Sequence, residues 1–301
     1  MASEAMEQLK QVMKAMMAQG FAPKFDGEMD PLKLRSVVQA AQENMPTEPG
    51  VSFIPVEYAG VEGEINRLDN AREDAIIIYI HGGGLICGNA ISSRGYASML
   101  AGETKLPVYT LSYRLAPENP FPAAVDDTFA FYHAVADANP GKPIFLIGES
   151  GGAYLCITTV MKARDNGVRL PAGIVPYSAP IEFSGRINRE FEGNRDFTVT
   201  PSGLGALAKL LDPDSANADD PYLNPYLDDL HDFPATLLAW DESESLAVDQ
   251  LILVEKLKRQ GVEVVCKSFP DCFHAFATTG RGTPESMEIL TMTKAFFEAH
   301  I

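Results

Sequence analysis

A serine between glycines, in the segment GESGG at residues 148–152, is the first candidate for chemistry. The segment follows the short apolar run PIFLIG and precedes the helical pattern AYLCITTVMKA. In a G-x-S-x-G turn between a strand and a helix, the serine projects from the carboxyl end of the strand and the glycines leave room for it. An ordinary glycine-rich turn is the competing interpretation. The strand–turn–helix context favours Ser150 as a nucleophile, with the positive end of the helix dipole beside it.

A serine that attacks a carbonyl group needs donors for the negative charge that develops on oxygen. The segment HGGG directly follows the apolar run AIIIYI. Its glycines allow backbone N–H groups to face a ligand, and we expect Gly83 and Gly84 to form an oxyanion hole with the N–H of Gly151. His81 and Gly82 are expected to support this loop. A flexible turn or a phosphate loop is the alternative, but the chain has no G-x-G-x-x-G or Walker pattern, which disfavours a nucleotide site.

The serine also needs a general base, and histidine is the side chain most often used for this role. The chain has five histidines: His81, His133, His231, His274 and His300. His274 lies in FPDCFHAF, after the apolar run VEVVCKSF and before the last helical pattern. It is therefore expected at the carboxyl end of a strand, where α/β sheets place their sites. The others lie in the glycine loop, in a helical pattern, after the acidic turn LDDL or at the C-terminus, so position and elimination favour His274.

Four carboxylates crowd the stretch WDESESLAVD, residues 240–249: Asp241, Glu242, Glu244 and Asp249. A carboxylate at a strand end can orient a catalytic histidine and stabilise its charged form. A metal site is the alternative, but the stretch has no D-x-D-x-D-G pattern and no neighbouring histidine, so we expect no metal. The stretch alone does not decide which carboxylate has the catalytic role.

These residues require a sheet that brings several strand ends together. Residues 51–68 predict a β-hairpin, and six apolar runs follow it: AIIIYI, LPVYTLSY, KPIFLIG, AGIVPYSA, ATLLAW and VEVVCKSF. Such continuous runs are typical of strands buried on both faces in a parallel sheet. Helical patterns at residues 122–138, 151–166, 246–260 and 284–299 are interspersed with them. This alternation predicts an α/β fold whose helices cover the sheet.

Two segments depart from the alternation. The first 45 residues predict two helices, with apolar side chains at helical spacing that include Met6, Leu9, Val12, Met13 and Met16. Methionine-rich faces usually pack against a core, but they can also line an adaptable apolar pocket. Residues 182–230 contain many turn residues and no strong strand pattern. A long insertion of this kind is typical of a lid or a binding element.

Composition narrows the classes of partner. With 24 Lys plus Arg against 41 Asp plus Glu, the formal net charge is −17, which repels nucleic acid and anionic membranes. The longest strongly apolar run, AIIIYI, is far shorter than the roughly 20 residues of a membrane span, and the N-terminus resembles no signal peptide. The cysteines Cys87, Cys156, Cys266 and Cys272 form no C-x-x-C pair, which predicts buried thiols rather than a disulfide between the last two. We expect a soluble, cytoplasmic protein with no nucleic-acid partner and no membrane span.

Four separated motifs together resemble those of the hormone-sensitive-lipase-like branch of the α/β-hydrolases, the bacterial carboxylesterases. They are HGGG, SYRLAPENPFPAAVDD at residues 112–127, GESGG and FPDCFHAF, in this order. The resemblance covers about residues 50–300 and implies an eight-stranded, mostly parallel sheet and hydrolysis of small acyl esters without a cofactor. It also implies a helical cap, formed by residues 1–48 and the insertion at 182–230, on a catalytic core of residues 49–181 and 231–301. Members usually have GDSAG where this chain has GESGG, a change that could reshape the oxyanion hole.

The resemblance also selects one acid. In the family, the acid stands two residues before a leucine that begins a helix, and here Glu244 precedes Leu246, with the helical pattern running to Gly261. The implied triad is Ser150, Glu244 and His274, in the chain order Ser, acid, His. Asp241 is kept in reserve as the acid, with Glu242 behind it. All three other carboxylates, including Asp249, are interpreted as surface charges or helix-start acids.

The resulting hypothesis is a serine carboxylesterase for short-chain, acetyl-type esters, with a small-molecule ester as its partner and no cofactor. An amidase or deacetylase with the same triad is one alternative. A catalytically silent, small-molecule-binding member of the family is another, although both Ser150 and His274 are present. A homodimer is an expectation from the frequency of dimers among such folds.

Overall fold

Eight strands form one sheet in the computed structural model, which describes residues 1–43 and 45–301. The strands are β1 Val51–Tyr58, β2 Val61–Leu68, β3 Ile76–Ile80, β4 Val108–Leu111, β5 Ile144–Glu149, β6 Gly173–Tyr177, β7 Ala235–Asp241 and β8 Val264–Phe269. Their order across the sheet is β1-β2-β4-β3-β5-β6-β7-β8. The pairs β1–β2 and β2–β4 are antiparallel and the other neighbours are parallel. The predicted mostly parallel eight-stranded sheet is confirmed.

The central strands are buried on both faces, as continuous apolar runs require. In β3, Ile76, Ile78 and Ile80 belong to one hydrophobic cluster and Ile77 and Tyr79 to another. This division follows from the alternation of side chains along a strand. The first cluster includes residues of α4 Ala123–Ala138, α5 Gly151–Asp165 and α7 Ala247–Arg259, and the second includes residues of α3 Arg94–Thr104 and α8 Pro284–Ala299. Helices therefore cover both faces of the sheet.

The N-terminal segment and the insertion meet each other above this sheet. The first contains α1 Glu4–Ala18 and α2 Pro31–Glu43, and the second contains α6 Pro201–Leu211. The N–H of Phe25 donates to the carbonyl of Thr198 (2.8 Å), and the N–H of Thr200 donates to that of Phe25 (3.0 Å). A parallel bridge, Phe25 to Val199, thus joins two segments that are far apart in sequence.

The sequence patterns predicted neither α3 nor α6. The segment of α3, RGYASMLAGET, is rich in small residues, so its helical periodicity is weak. The segment of α6, PSGLGALAKLL, contains two glycines. Its start is stabilised by Thr200, whose side chain accepts from the N–H of Gly203 (3.1 Å), and by Pro201 in the first turn.

The expectation that all four thiols are buried is wrong for Cys266. All four cysteines, which lie within the described residues, carry free thiols, and Cys87, Cys156 and Cys272 are buried. Cys266 is exposed because it lies on β8, the last strand of the sheet, where no further strand or helix covers its side chain. Across the described residues, none of the helices has both the length and the apolar character required to cross a bilayer.

Candidate active site

Ser150 lies at the sharp turn between β5 and α5. Its backbone has a φ of 54° and a ψ of −120°, a conformation that residues other than glycine rarely adopt. The N–H of Ser150 donates to the carbonyl of Tyr177 (2.9 Å), which anchors the turn to β6. A Cβ atom on Gly152 would lie 2.0 Å from the carbonyl oxygen of Ile80, so only glycine fits where α5 packs on β3. The turn holds Ser150 at the carboxyl end of the sheet.

His274 and Glu244 face each other beside this turn. Nδ1 of His274 lies 3.3 Å from Oε2 of Glu244, and both side chains are buried. The two atoms are close but are not aligned as a hydrogen bond. Catalytic hydrogen bonds are often poorly aligned in substrate-free enzymes. Nε2 of His274 makes no hydrogen bond to any described residue. The carboxylate therefore faces one ring nitrogen, and the other is free of protein partners in the described chain.

Burial and proximity shift the protonation of this pair. Burial raises the pKa of Glu244 to about 7, although the interactions with His274 and Ser178 lower it. Burial is also the largest influence on His274 and lowers its pKa, but the neighbouring Glu244 carboxylate outweighs it, so that the pKa of His274 lies above its ordinary value. A histidine poised in this way can accept a proton near neutral pH.

The other three acids of the stretch have different surroundings. Glu242 is exposed and accepts from Oγ of Ser268 (2.8 Å). Asp241 is buried and accepts from Oγ of Ser243 (2.6 Å) and from the N–H of Cys272 (3.0 Å). Asp241 therefore braces the loop that carries His274. The interpretation of Asp241 as a surface charge is wrong, because β8 and that loop cover the end of β7.

Asp249 lies in the first turn of α7, as a helix-start acid does, but it is buried, so it is not a surface charge. Arg189 from the insertion donates to its carboxylate through Nε (2.8 Å) and Nη2 (2.7 Å). The N–H of Ile181 donates to the same carboxylate (3.0 Å). Sequence reasoning missed this pair because 60 residues separate its members.

The HGGG loop approaches the start of α5. Gly83 has a φ of 94°, and its carbonyl accepts from the N–H groups of Ile86 and Cys87, both at 3.1 Å. A Cβ atom on Gly151 would lie 3.3 Å from the backbone nitrogen of Gly84 and 3.2 Å from that of Leu85. Backbone N–H groups of the loop and of the helix start therefore lie close together, as an oxyanion hole requires.

The side chains of Tyr113 and Glu149 contact the backbone of this loop. The ring of His81 stacks on Tyr113 (centroids 4.2 Å apart), and burial lowers the pKa of His81 to about 4, so it is neutral. The hydroxyl of Tyr113 donates to the carbonyl of His81 (2.8 Å). Oε1 of Glu149 accepts from the N–H of Gly82 (2.7 Å). In the sequence, Glu149 stands out only as a departure from the family motif, whereas in the structure its carboxylate contacts the glycine loop.

Ser150 borders two cavities of different character. One is an open cleft of about 260 Å³, whose lining includes Met13, Met17, Phe25 and His274. Of the methionines at helical spacing near the N-terminus, Met13 thus lines the cleft, Met6 is buried, and Met16 is exposed. The other cavity is an apolar pocket of about 20 Å³ with a lining that includes Gly84, Gly151, Leu204, Leu207 and Phe183. The N-terminal segment and the insertion contribute to both.

Metal-ligand side chains cluster elsewhere. Within the described residues, three side chains that could share a cation come together at Asp228, Asp229 and His231, none of which lines the cleft or the pocket. Arg164 already pairs with the carboxylate of Asp228 (3.0 and 2.8 Å). The groups at Ser150 suit acid–base and nucleophilic chemistry.

Comparison with known proteins places this geometry in context. The family model described as the alpha/beta hydrolase fold matches residues 77–278. The chain is 29% identical over 263 residues to an esterase of Acinetobacter venetianus, covering 86% of each chain. It is 28% identical over 279 residues to an acetyl-hydrolase of Streptomyces hygroscopicus, covering 90% of each. A shorter stretch of 109 residues, 35% of this chain and 14% of the other, is 38% identical to the hormone-sensitive lipase of Mus musculus.

Solved structures extend the likeness to the whole chain. A hormone-sensitive lipase from a metagenome library superposes with a TM-score of 0.87 at 28% identity, covering 97% of this chain and 99% of that one. An esterase from the bacterial hormone-sensitive lipase family superposes with a TM-score of 0.88 at 25% identity, covering 100% and 99%. The resemblance stated from the four motifs is confirmed.

Proposed function

The chain belongs to the α/β-hydrolase fold family and is a carboxylic ester hydrolase, and from that premise we propose a serine carboxylesterase that hydrolyses short-chain acyl esters. The observation that carries the mechanism is the arrangement at one cleft. Ser150 and His274 both line it, and the Glu244 carboxylate lies 3.3 Å from the inner nitrogen of His274. We assign these residues as nucleophile, general base and orienting acid.

The proposed reaction proceeds by acyl transfer. His274 accepts the proton of the Ser150 hydroxyl as Ser150 attacks the ester carbonyl, and Glu244 stabilises the charged imidazole. Backbone N–H groups of Gly83, Gly84 and Gly151 stabilise the negatively charged oxygen of the tetrahedral intermediate. His274 then protonates the leaving alcohol. Water, activated by the same histidine, hydrolyses the acyl-enzyme and releases the acid.

The two cavities support an assignment of the acyl chain to one and of the alcohol portion of the ester to the other. The leaving alcohol must face His274, which lines the open cleft and not the apolar pocket. The acyl chain extends from the carbonyl carbon on the other side, where Gly84 and Gly151 line the apolar pocket. A pocket of about 20 Å³ bordered by Leu204, Leu207 and Phe183 suits a short acyl chain. The open cleft of about 260 Å³ has more room, as alcohols of varied size require.

A panel of nitrophenyl esters of rising acyl length tests this proposal. We expect the highest kcat/KM for two to four acyl carbons, and Ser150→Ala should lower kcat by on the order of 10⁶-fold. Ser98→Ala is a matched control, because Ser98 of α3 is also buried and its hydroxyl bonds to backbone groups of Glu48 and Gly95. Absence of turnover with every short ester would overturn the esterase assignment, and normal turnover by Ser150→Ala would overturn the mechanism.

An amidase or deacetylase would use the same side chains, and nitroanilides of the same acids distinguish these activities. We expect esters to be hydrolysed far faster than the matched anilides. Equal or higher kcat/KM for the anilides would favour the amidase alternative. A silent binding protein would hydrolyse neither series.

A further inference from the structure

Ser178 occupies the junction of the strands that carry the proposed triad. It follows the last residue of β6, is fully buried and has a φ of 51°. Its N–H donates to the carbonyl of Ala239 on β7 (3.2 Å). The preceding residue, Tyr177, accepts from the N–H of Ser150. Ser178 therefore lies between the nucleophile turn and the strand that leads to the acid.

The hydroxyl of Ser178 contacts the proposed acid and the loop that carries the proposed base. Oγ of Ser178 lies 2.9 Å from Oε2 of Glu244, the same carboxylate oxygen that faces Nδ1 of His274. Because an ionised carboxylate only accepts, the hydroxyl donates in this contact. Its lone pair accepts from the N–H of Ala275, the residue after His274, at 3.4 Å. One side chain thus connects the acid with the loop of the base.

The hydrogen bond from Ser178 matters because the buried Glu244 carboxylate has few other partners among the described residues. Oε1 of Glu244 has no hydrogen-bond partner among the described residues, and the side chain is fully buried. A buried carboxylate remains ionised only when donors offset its lost hydration. His274 and the Ser178 hydroxyl are the two groups that lower the pKa of Glu244, whereas Asp196 raises it. Asp196 and Glu149 also act on His274, and both favour its charged form.

We propose that Ser178 is a positioning residue for catalysis, whose hydroxyl holds the Glu244 carboxylate toward His274 and ties it to the histidine loop. This inference rests on the proposed function, in which Glu244 is the acid. Ser178 touches neither the reacting serine nor the substrate cavities and acts only through Glu244 and the loop of His274. A positioning role predicts a loss in kcat with little change in KM.

Two substitutions separate the hydroxyl from the backbone. Ser178→Ala removes the hydroxyl, and Ser178→Gly removes it while relieving the positive φ. We expect both to lower kcat about 10- to 100-fold, the loss typical of a hydrogen bond to a charged group, with KM within about threefold. In the pH profile of kcat/KM, the acidic limb should move to higher pH, because loss of this donor raises the pKa of Glu244. Ser98→Ala should leave kcat, KM and the pH profile unchanged.

A double variant tests whether Ser178 acts through Glu244. The proposal predicts that Ser178→Ala/Glu244→Ala is no slower than Glu244→Ala alone. Full kcat and an unmoved acidic limb in both Ser178 variants, with Glu244→Ala impaired, would overturn the role of Ser178 and leave the triad intact. Multiplicative losses in the double variant would also overturn it. Normal activity of Glu244→Ala would instead overturn the acid assignment, and the positioning role with it.

Discussion

At the scale of single residues, the acidic stretch contains four carboxylates with four environments. Glu244 is buried and faces His274, Asp241 braces the histidine loop, Glu242 is exposed, and Asp249 pairs with Arg189. The length of the side chain matters at Glu244, because the carboxylate must contact both Ser178 and the imidazole. Chemically similar residues therefore acquire different tasks through their position in the turn.

Substitution of these acids one at a time should separate their tasks. We expect Glu244→Ala to lower kcat by about 10³- to 10⁴-fold, because His274 loses both its orientation and its counter-charge. Glu242→Ala, the exposed matched control, should be near normal. Asp241→Asn should lower the melting temperature but change kcat little. Steady-state kinetics and thermal unfolding measure these effects, and a nearly normal Glu244→Ala enzyme would contradict the acid assignment.

Glu149 offers a second residue-scale test, of stability against pH. Burial raises its pKa to about 7 from 4.5, so the folded state holds a proton that the unfolded state releases at lower pH. The stabilisation from this proton is complete below the unfolded pKa and is lost as pH rises through about 7, a change on the order of 3 kcal/mol.

Glu149→Gln keeps an acceptor for the N–H of Gly82 but has no titrating proton. We expect the free energy of unfolding of this variant to depend less steeply on pH between 5 and 9 than that of the unchanged protein. Denaturant unfolding at several pH values measures both slopes. Identical slopes would show that Glu149 titrates no differently in the folded and unfolded states.

At the scale of elements, α6 forms part of the wall of the proposed acyl pocket. Leu204 and Leu207 of α6 line the pocket, whereas Leu210 on the same helix does not. The pocket exists because Phe25 of the N-terminal segment bonds to the strand-like backbone just before α6. Under the proposed placement of the acyl chain, its preference depends on two elements that no single sequence motif describes.

Leu207→Ala should enlarge the acyl pocket. We expect the ratio of kcat/KM for a six-carbon to a two-carbon ester to rise about tenfold or more, since each additional buried methylene contributes about 0.8 kcal/mol. Leu210→Ala on the same helix is the matched control and should leave the ratio unchanged. An unchanged ratio in Leu207→Ala would contradict the placement of the acyl chain.

At the scale of the whole molecule, a buried ion pair fastens the insertion to the catalytic core. Arg189 donates twice to Asp249 in the first turn of α7, and its Nη2 also donates to the carbonyl of Glu182 (2.7 Å). Asp196 of the insertion accepts from the N–H of Ser245, beside Glu244 (3.0 Å). The proposed cap therefore connects directly to the acid turn. The expected homodimer and cytoplasmic location stay predictions.

Breaking this ion pair should destabilise the protein. Arg189→Met leaves the buried carboxylate of Asp249 without its counter-charge, and we expect the free energy of unfolding to fall by about 3 kcal/mol or more. Adding Asp249→Asn should recover part of the loss, because the unpaired charge is then absent. Denaturant unfolding of both variants measures this coupling. Arg186→Met, at an exposed ion pair in the same segment, is the control and should change little.

Local sequence patterns determined much of the fold and part of the candidate site. The continuous apolar runs predicted the six strands β3 to β8 to within two residues at either end, because burial on both faces demands such runs, and the hairpin pattern predicted β1 and β2. G-x-S-x-G and HGGG predicted a serine turn and a glycine loop, since both motifs are short and locally constrained. Position along the chain favoured His274, whereas Glu244 was favoured only through the family resemblance, in which the acid stands two residues before a leucine.

Only the tertiary structure decided which distant groups meet. Ser178 and Glu244 are 66 residues apart, and Arg189 and Asp249 are 60 apart, so no periodicity or spacing relates them. Asp241 and Asp249 had the same acidic character as Glu242 in the sequence, yet burial gave them structural roles. The physical reason is that burial and pairing of polar groups depend on the elements that pack over them, which a local pattern does not contain.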